Sequence, residues 1–137
     1  AGARVLICSR KLEEGQATAE ELSAYGECIA LAADLSSEDG AKALATDLLA
    51  YTEHLDILVN NAGTAWGGSL EEFPAEGWHK VMQLNVTAVF STTQQLLPLL
   101  LRIQRVVCAS HCLAIAATRM WAGKEFICIT SAKRWWI

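Results

Sequence analysis

The residues best able to do chemistry stand where one short apolar run breaks. Asp56-Ile57-Leu58-Val59 reads as a strand buried on both faces, and it gives way to Asn60-Asn61-Ala62-Gly63. Asparagine and glycine leave extended geometry easily and offer bare backbone to a ligand. Ligands in open α/β sheets sit just beyond the carboxyl ends of strands, which is where this tetrapeptide falls. Two other apolar runs end in polar residues: Val5–Cys8 closes on Ser9-Arg10-Lys11, and Cys28–Ala33 closes on Asp34-Leu35. Asn85 falls four residues from both Val81 and Val89, on a helical face with Trp78, Met82 and Phe90. A buried amide must find partners, so Asn85 either pairs with a carbonyl at a helix–helix contact or belongs to a site.

Other chemistries fit the residues poorly. Cys108, His111 and Cys112 suggest a metal, but no second pair completes four ligands, so no metal site is expected. Gly63, Gly67 and Gly68 carry no following Gly-Lys-Ser/Thr, which excludes a P-loop. Ser110 beside His111 is no triad, since adjacency in sequence does not supply triad geometry. His54 and His79 read as surface residues.

These positions need elements to hold them. Leu12, Ala19, Leu22 and Tyr25 recur at near-helical spacing, with Glu13 and Glu14 in the first turn and Gly26 as a stop. Gly15 weakens that helix. A second helix has Ser36 as its cap, Asp39 three residues on, and a stripe of Ala41, Leu44, Ala45, Leu48 and Leu49. Strand, helix, strand, helix, strand at this spacing implies right-handed crossovers and a parallel sheet. Thr64–Ser69 reads as a loop. Pro74 suits the first turn of a long helix reaching about Leu97, near Pro98. Arg105–Ala109 is a further strand candidate, after which no sustained period appears.

The chain has 137 residues, 53% apolar and 19% charged, which places it with globular proteins of one domain at most. A net charge of −4 without a basic stripe argues against nucleic acid. No apolar run approaches a bilayer span, so no membrane partner is expected, and no signal peptide is visible. Five cysteines without framework spacing suit a reducing, cytoplasmic setting.

Together, Gly2-Ala3-Arg4-Val5, Ser9-Arg10, Asp34-Leu35, Asn60-Asn61-Ala62-Gly63 and Leu84-Asn85-Val86 resemble the short-chain dehydrogenase/reductase family from residue 1 to about residue 100. Asn61–Phe90 is most similar to its 3-oxoacyl-[acyl-carrier-protein] reductase-like branch, and within it to the β-ketoacyl reductases associated with rhamnolipid synthesis. The resemblance implies an α/β chain with a partial Rossmann-type, doubly wound parallel sheet. It divides the chain into residues 1–101, a partial NAD(P)-binding domain, and residues 102–137, a tail that is not family-like.

The same resemblance assigns roles. Ser9 and Arg10 would face the adenosine ribose, where a guanidinium suits the 2′-phosphate of NADP and NAD-binding members place an acid. The alternative is that Arg10 and Lys11 are a solvated helix start. Asp34 would touch the adenine amino group, with the Leu35 backbone beside it, or else cap the following helix. Asn61, Ala62 and Gly63 would line the adenine-ribose side of NADP. Asn85 matches the active-site asparagine that orients a water in the proton relay. The implied substrate is a ketone, a 3-oxoacyl thioester or similar small molecule, and the implied assembly a homotetramer or homodimer.

Two departures bear on activity. The first strand and glycine-rich turn that would hold the pyrophosphate are missing, so the chain reads as a fragment. The Tyr-x-x-x-Lys pair is also missing: aligning Arg105–His111 with the expected strand puts the tyrosine position near Gly123 and Lys124, and no tyrosine follows Tyr51. Hydride transfer to a ketone needs an acid for the developing alkoxide. The chain by itself is therefore expected to be inactive. The rival reading is an inactive relative that serves as an oligomerisation or interaction module.

Overall fold

The computed structural model describes residues 2–102, 107–110 and 125–130, the last two stretches through their backbone. Strands β1 (Arg4–Ser9), β2 (Cys28–Ala32) and β3 (Ile57–Asn61) alternate with helices α1 (Leu12–Leu22) and α2 (Glu38–Leu48). Then follow α3 (Ala75–Met82), a π-helical turn at Gln83–Thr87, α4 (Ala88–Leu100), β4 (Val107–Ser110) and β5 (Glu125–Thr130). All ladders are parallel, in the order β2-β1-β5-β3-β4. The expected parallel α/β sheet is therefore present.

Helices cover both faces of this sheet. Leu6, Cys8 and Leu58 point into a core completed by Leu44 and Leu48 of α2 and Leu96, Leu99 and Leu100 of α4. The opposite parity carries Ile7 and Ser9, and α1 packs there. A Cβ added at Gly15 would lie 3.3 Å from the Ala30 Cβ and 3.5 Å from that of Ser9. Gly15 thus lets α1 sit close on the sheet, whereas the sequence suggested only a helix-weakening residue.

Several boundaries differ from expectation. The cap of α2 is Ser37, whose Oγ accepts from the Gly40 amide at 3.1 Å, while Ser36 serves Asp34. Leu49 lies outside the stripe and is exposed, as are Leu12, Leu22 and Tyr25 around α1. The long helix does not end near Leu97 but runs through Pro98 to Leu100. Pro98 and Gln94, whose carbonyl loses its partner, are both on the solvent side, where water can replace the missing hydrogen bond. The face expected to carry Trp78 and Phe90 inward is turned outward, leaving them 57% and 66% exposed. The π-helical turn adds a residue to the repeat and shifts the register, so α4 buries Ala88, Thr92, Leu96, Leu99 and Leu100 instead. No period announced β5, because a short apolar run is not assignable by periodicity.

Candidate functional site

At the carboxyl edge, β1 and β2 bring Ser9-Arg10 and Asp34-Leu35 to neighbouring strand ends. The Ser9 carbonyl accepts from the Ala33 amide at 3.0 Å, which holds the two strand ends in step. Ser9 is buried, and its Oγ accepts from the Lys11 amide at 3.4 Å as the chain turns into α1. Arg10, between them, is exposed and faces solvent at the strand end.

Asp34 closes a tight turn immediately beyond β2. Its Oδ1 accepts from the Ser36 amide at 2.9 Å and from the Ser36 hydroxyl at 2.7 Å. These bonds hold its carboxyl below the ordinary range, with a smaller contribution from the charge of Arg10. Leu35 sends its side chain into the core at 6% exposure, so only its backbone can meet a ligand. Asp34 thus folds its own turn, and the helix cap falls to Ser37.

The end of β3 is held from two directions. Asn60 is buried, and its Nδ2 donates to the Thr93 hydroxyl at 3.3 Å, which in turn donates to the Val89 carbonyl at 2.7 Å. Asn61 pairs in the ladder opposite Thr130, and Ala62 and Gly63 leave the strand half-buried. One residue on, Asn85 reads Thr64 with both halves of its amide. Its Oδ1 accepts from the Thr64 amide at 2.8 Å, and its Nδ2 donates to the Thr64 carbonyl at 2.9 Å. Asn85 is exposed rather than buried, and its partner is a loop backbone rather than a neighbouring helix.

The structure therefore gathers Ser9, Arg10, Asp34 and Leu35 on adjacent strand ends. Asn61, Ala62 and Gly63 end β3, separated from β1 by β5, and Asn85 braces the loop that follows them. Three further residues belong to this framework. Asn60 was readable from the asparagine pair, and Thr64 from its place after Gly63. Gln83, whose Nε2 donates to the Ser36 carbonyl at 3.0 Å, ties the π-helical turn to the Asp34 turn and gave no sequence signal. Among the described residues no group of His, Cys, Asp and Glu could hold a metal ion. The side chains of Cys108, Ser110, His111 and Cys112 lie outside the described residues.

Comparison with known proteins converges on one family. The short chain dehydrogenase family matches residues 1–110. The rhamnolipids biosynthesis 3-oxoacyl-[acyl-carrier-protein] reductase of Pseudomonas aeruginosa is 64% identical over 102 residues, which cover 74% of this chain and 40% of that protein. A putative ketoacyl reductase of Streptomyces coelicolor is 36% identical over 97 residues, covering 70% of this chain and 37% of the relative. Among solved structures, the Pseudomonas aeruginosa RhlG/NADP active-site complex superposes with a TM-score of 0.71 at 63% identity, covering 72% of this chain and 39% of that one. A metagenomic short-chain oxidoreductase in complex with NADP gives 0.72 at 33% identity, covering 80% and 50%. The chain spans about two-fifths of the length of the curated relatives it matches. On this sequence match and this sheet, the chain belongs to the short-chain dehydrogenase family.

Proposed function

We propose that this chain is the adenosine-side part of an NADP-dependent reductase that converts a ketone, of the 3-oxoacyl thioester class, to the alcohol. The observation that carries the cofactor choice is Arg10, exposed at the carboxyl end of β1 with no acid before Glu13. A guanidinium there complements a ribose 2′-phosphate with charge-assisted hydrogen bonds, where an acid would repel it. The relative named as a 3-oxoacyl-[acyl-carrier-protein] reductase, and the similar structures solved with NADP, support the same reading.

The residues present fit the adenosine half of the cofactor. Ser9 and Arg10 hold the ribose phosphate, the Asp34 turn and the Leu35 backbone meet the adenine, and Asn61, Ala62 and Gly63 line the ribose side. Asn85 holds the loop after Gly63 and, as the active-site asparagine, orients water for the proton relay. The nicotinamide supplies the hydride when bound. No tyrosine after Tyr51 can serve as the proton donor at the family spacing, so this chain by itself does not turn over. The setting proposed is cytoplasmic; no helix of the described residues is long and apolar enough to cross a membrane.

One observation favours an added role in assembly. Trp78, Val86, Phe90, Leu97 and Leu101 expose a stripe along the α3–α4 surface. That surface suits a homodimer or homotetramer, and it is also what an inactive interaction module would use.

Calorimetric titration with NADP and with NAD, on the chain with the N-terminal strand and glycine-rich turn restored, tests the cofactor. NADP should bind more tightly by about 1–3 kcal/mol, and Arg10→Ala should remove most of that margin. Equal affinities would remove the basis for the assignment.

A further inference from the structure

Two side chains of the π-helical turn bind two different loops. Gln83 Nε2 donates to the Ser36 carbonyl at 3.0 Å, and the Asn85 amide bonds to the Thr64 backbone at 2.8 and 2.9 Å. Residues two apart on a helix project to roughly opposite sides. The turn therefore lies between the loop that leaves β2 and the loop that leaves β3, with one amide on each. The strands under those loops are not neighbours. The order β2-β1-β5-β3 sets them three inter-strand steps apart, about 14 Å, with no ladder in common.

Ser36 is the shared point on the β2 side. Its amide and hydroxyl both donate to Asp34 Oδ1, while its carbonyl takes the bond from Gln83. On the β3 side, Thr64 follows Gly63 directly. A continuous path thus runs from the Asp34 carboxylate through Ser36, Gln83 and Asn85 to the segment that ends β3. Burial does not demand this path. Ser36, Gln83 and Asn85 are all exposed, so water can satisfy their polar groups equally well. What the protein bonds fix is position: a rotation of the turn that followed one loop would carry its other amide off the second.

We propose that the π-helical turn is a strut between these two loops, and that Gln83 is a positioning residue through which residues 34–37 and 62–65 open and close as one unit. On the cofactor reading given above, on which this consequence rests, a dinucleotide meets the two loops as a single surface. Ordering of one by the ligand then orders the other.

Hydrogen–deuterium exchange on the full chain, without nucleotide, tests the coupling. Gln83→Met keeps the helix propensity but removes the donor, and Gln83→Lys restores one. In Gln83→Met the amides of 62–65 should exchange about threefold to tenfold faster, together with those of 34–37, as expected for one lost hydrogen bond. Asn85→Ala should return the effect at 34–37, because coupling between two sites is reciprocal. Gln83→Lys should stay close to the parent at both loops. Both loops should also exchange faster than 57–59 in every chain, as a local unit opening ahead of the core. Faster exchange confined to 34–37 in Gln83→Met, or to 62–65 in Asn85→Ala, would overturn the proposal, since the loops would then move independently. Loops that exchange only at the rate of 57–59 would overturn it too, and so would Gln83→Lys as fast as Gln83→Met. Equal affinities for NADP and NAD would bear on Arg10 alone and leave the strut standing.

Discussion

Asn85 binds the backbone of Thr64 as a neighbouring strand would, accepting from its amide at 2.8 Å and donating to its carbonyl at 2.9 Å. The pair joins the π-helical turn to the loop that leaves β3, across twenty-one positions of sequence. A π-helical turn inside a long helix costs regular hydrogen bonds and is found mostly where a side chain must be aimed. Here it aims an amide at the segment directly after Gly63.

Asn85→Ala should therefore loosen the strand end more than it unfolds the chain. Two partly exposed hydrogen bonds are together worth about 1–2 kcal/mol, so the urea midpoint should fall modestly. Amide exchange at 62–65 should rise well beyond that global change. Asn85→Asp is informative because a carboxylate can still accept from the Thr64 amide but sets its second oxygen against the Thr64 carbonyl. It should lie at or below the alanine variant in stability. An aspartate variant as stable as the parent would show that the donated bond to Thr64 carries nothing.

Gly77 holds Trp66 in place by having no side chain. A Cβ there would sit 2.7 Å from the indole Cγ, and Lys80 Nζ lies 5.4 Å from the ring centroid on the same helix. Gly77→Ala should expel the indole and expose 64–69 to proteolysis, even though alanine favours the helix by about 1 kcal/mol. In a Trp66→Ala background the collision is gone, and the same change should stabilise. A double-mutant cycle with no coupling between the two positions would contradict the packing described.

The alternation of apolar runs and helical stripes made the parallel sheet, α1, α2 and β3 legible, because the core imposes that pattern on residue choice. Ser9, Arg10, Asp34 and Asn61 were legible as polar residues ending apolar runs. What was hidden depends on contacts distant in sequence. Nothing near Gln83 announces its bond to the Ser36 carbonyl, and nothing in the spacing of Trp78 and Phe90 reveals the register shift that turns them outward. Gly15 was misjudged for a related reason, since helix propensity is local and the approach of Ala30 is not. The place of β5 was hidden most completely, because its partners on both sides are set by topology.

Gly40 and Gly15 should respond very differently to the same change. A Cβ at Gly40 would fall 1.8 Å from the Asp34 carbonyl oxygen, a backbone atom that cannot move without the turn. At Gly15 the nearest neighbour is a side-chain carbon at 3.3 Å, which can give by a few tenths of an ångström. Helix propensity favours alanine by about 0.5–1 kcal/mol at either site. Gly15→Ala should thus be close to neutral, and Gly40→Ala should cost at least about 2 kcal/mol by forcing the Asp34 turn apart. Thermal denaturation of both variants decides it, and equal melting temperatures would refute the assignment of Gly40 to a backbone contact.

The Asp34 turn also predicts a pH response whose sign can be fixed. Hydrogen bonds from the Ser36 hydroxyl and amide lower the folded carboxyl from its reference of 3.8, so the unfolded state binds the proton first as pH falls. The resulting stability is fully present above the unfolded pKa and is lost as the pH drops through the folded one. Glu38, lowered from 4.5 by its hydrogen bond and charge contact with Lys42, acts in the same direction and has to be separated. Asp34→Asn keeps an oxygen to accept from Ser36 but removes the titration. Carried in a Glu38→Gln background, it should leave the midpoint at the acid end unchanged and lower the neutral-pH midpoint slightly towards it, so that the fall below pH 3.8 is flatter. The effect should be small, since Asp34 is largely solvated and water screens its charge. Ser36→Ala removes only the hydroxyl bond and should give part of the same flattening. An acid limb as steep in Asp34→Asn as in the parent would mean that the carboxyl is not held by Ser36 in solution, and the turn after β2 would lose its anchor.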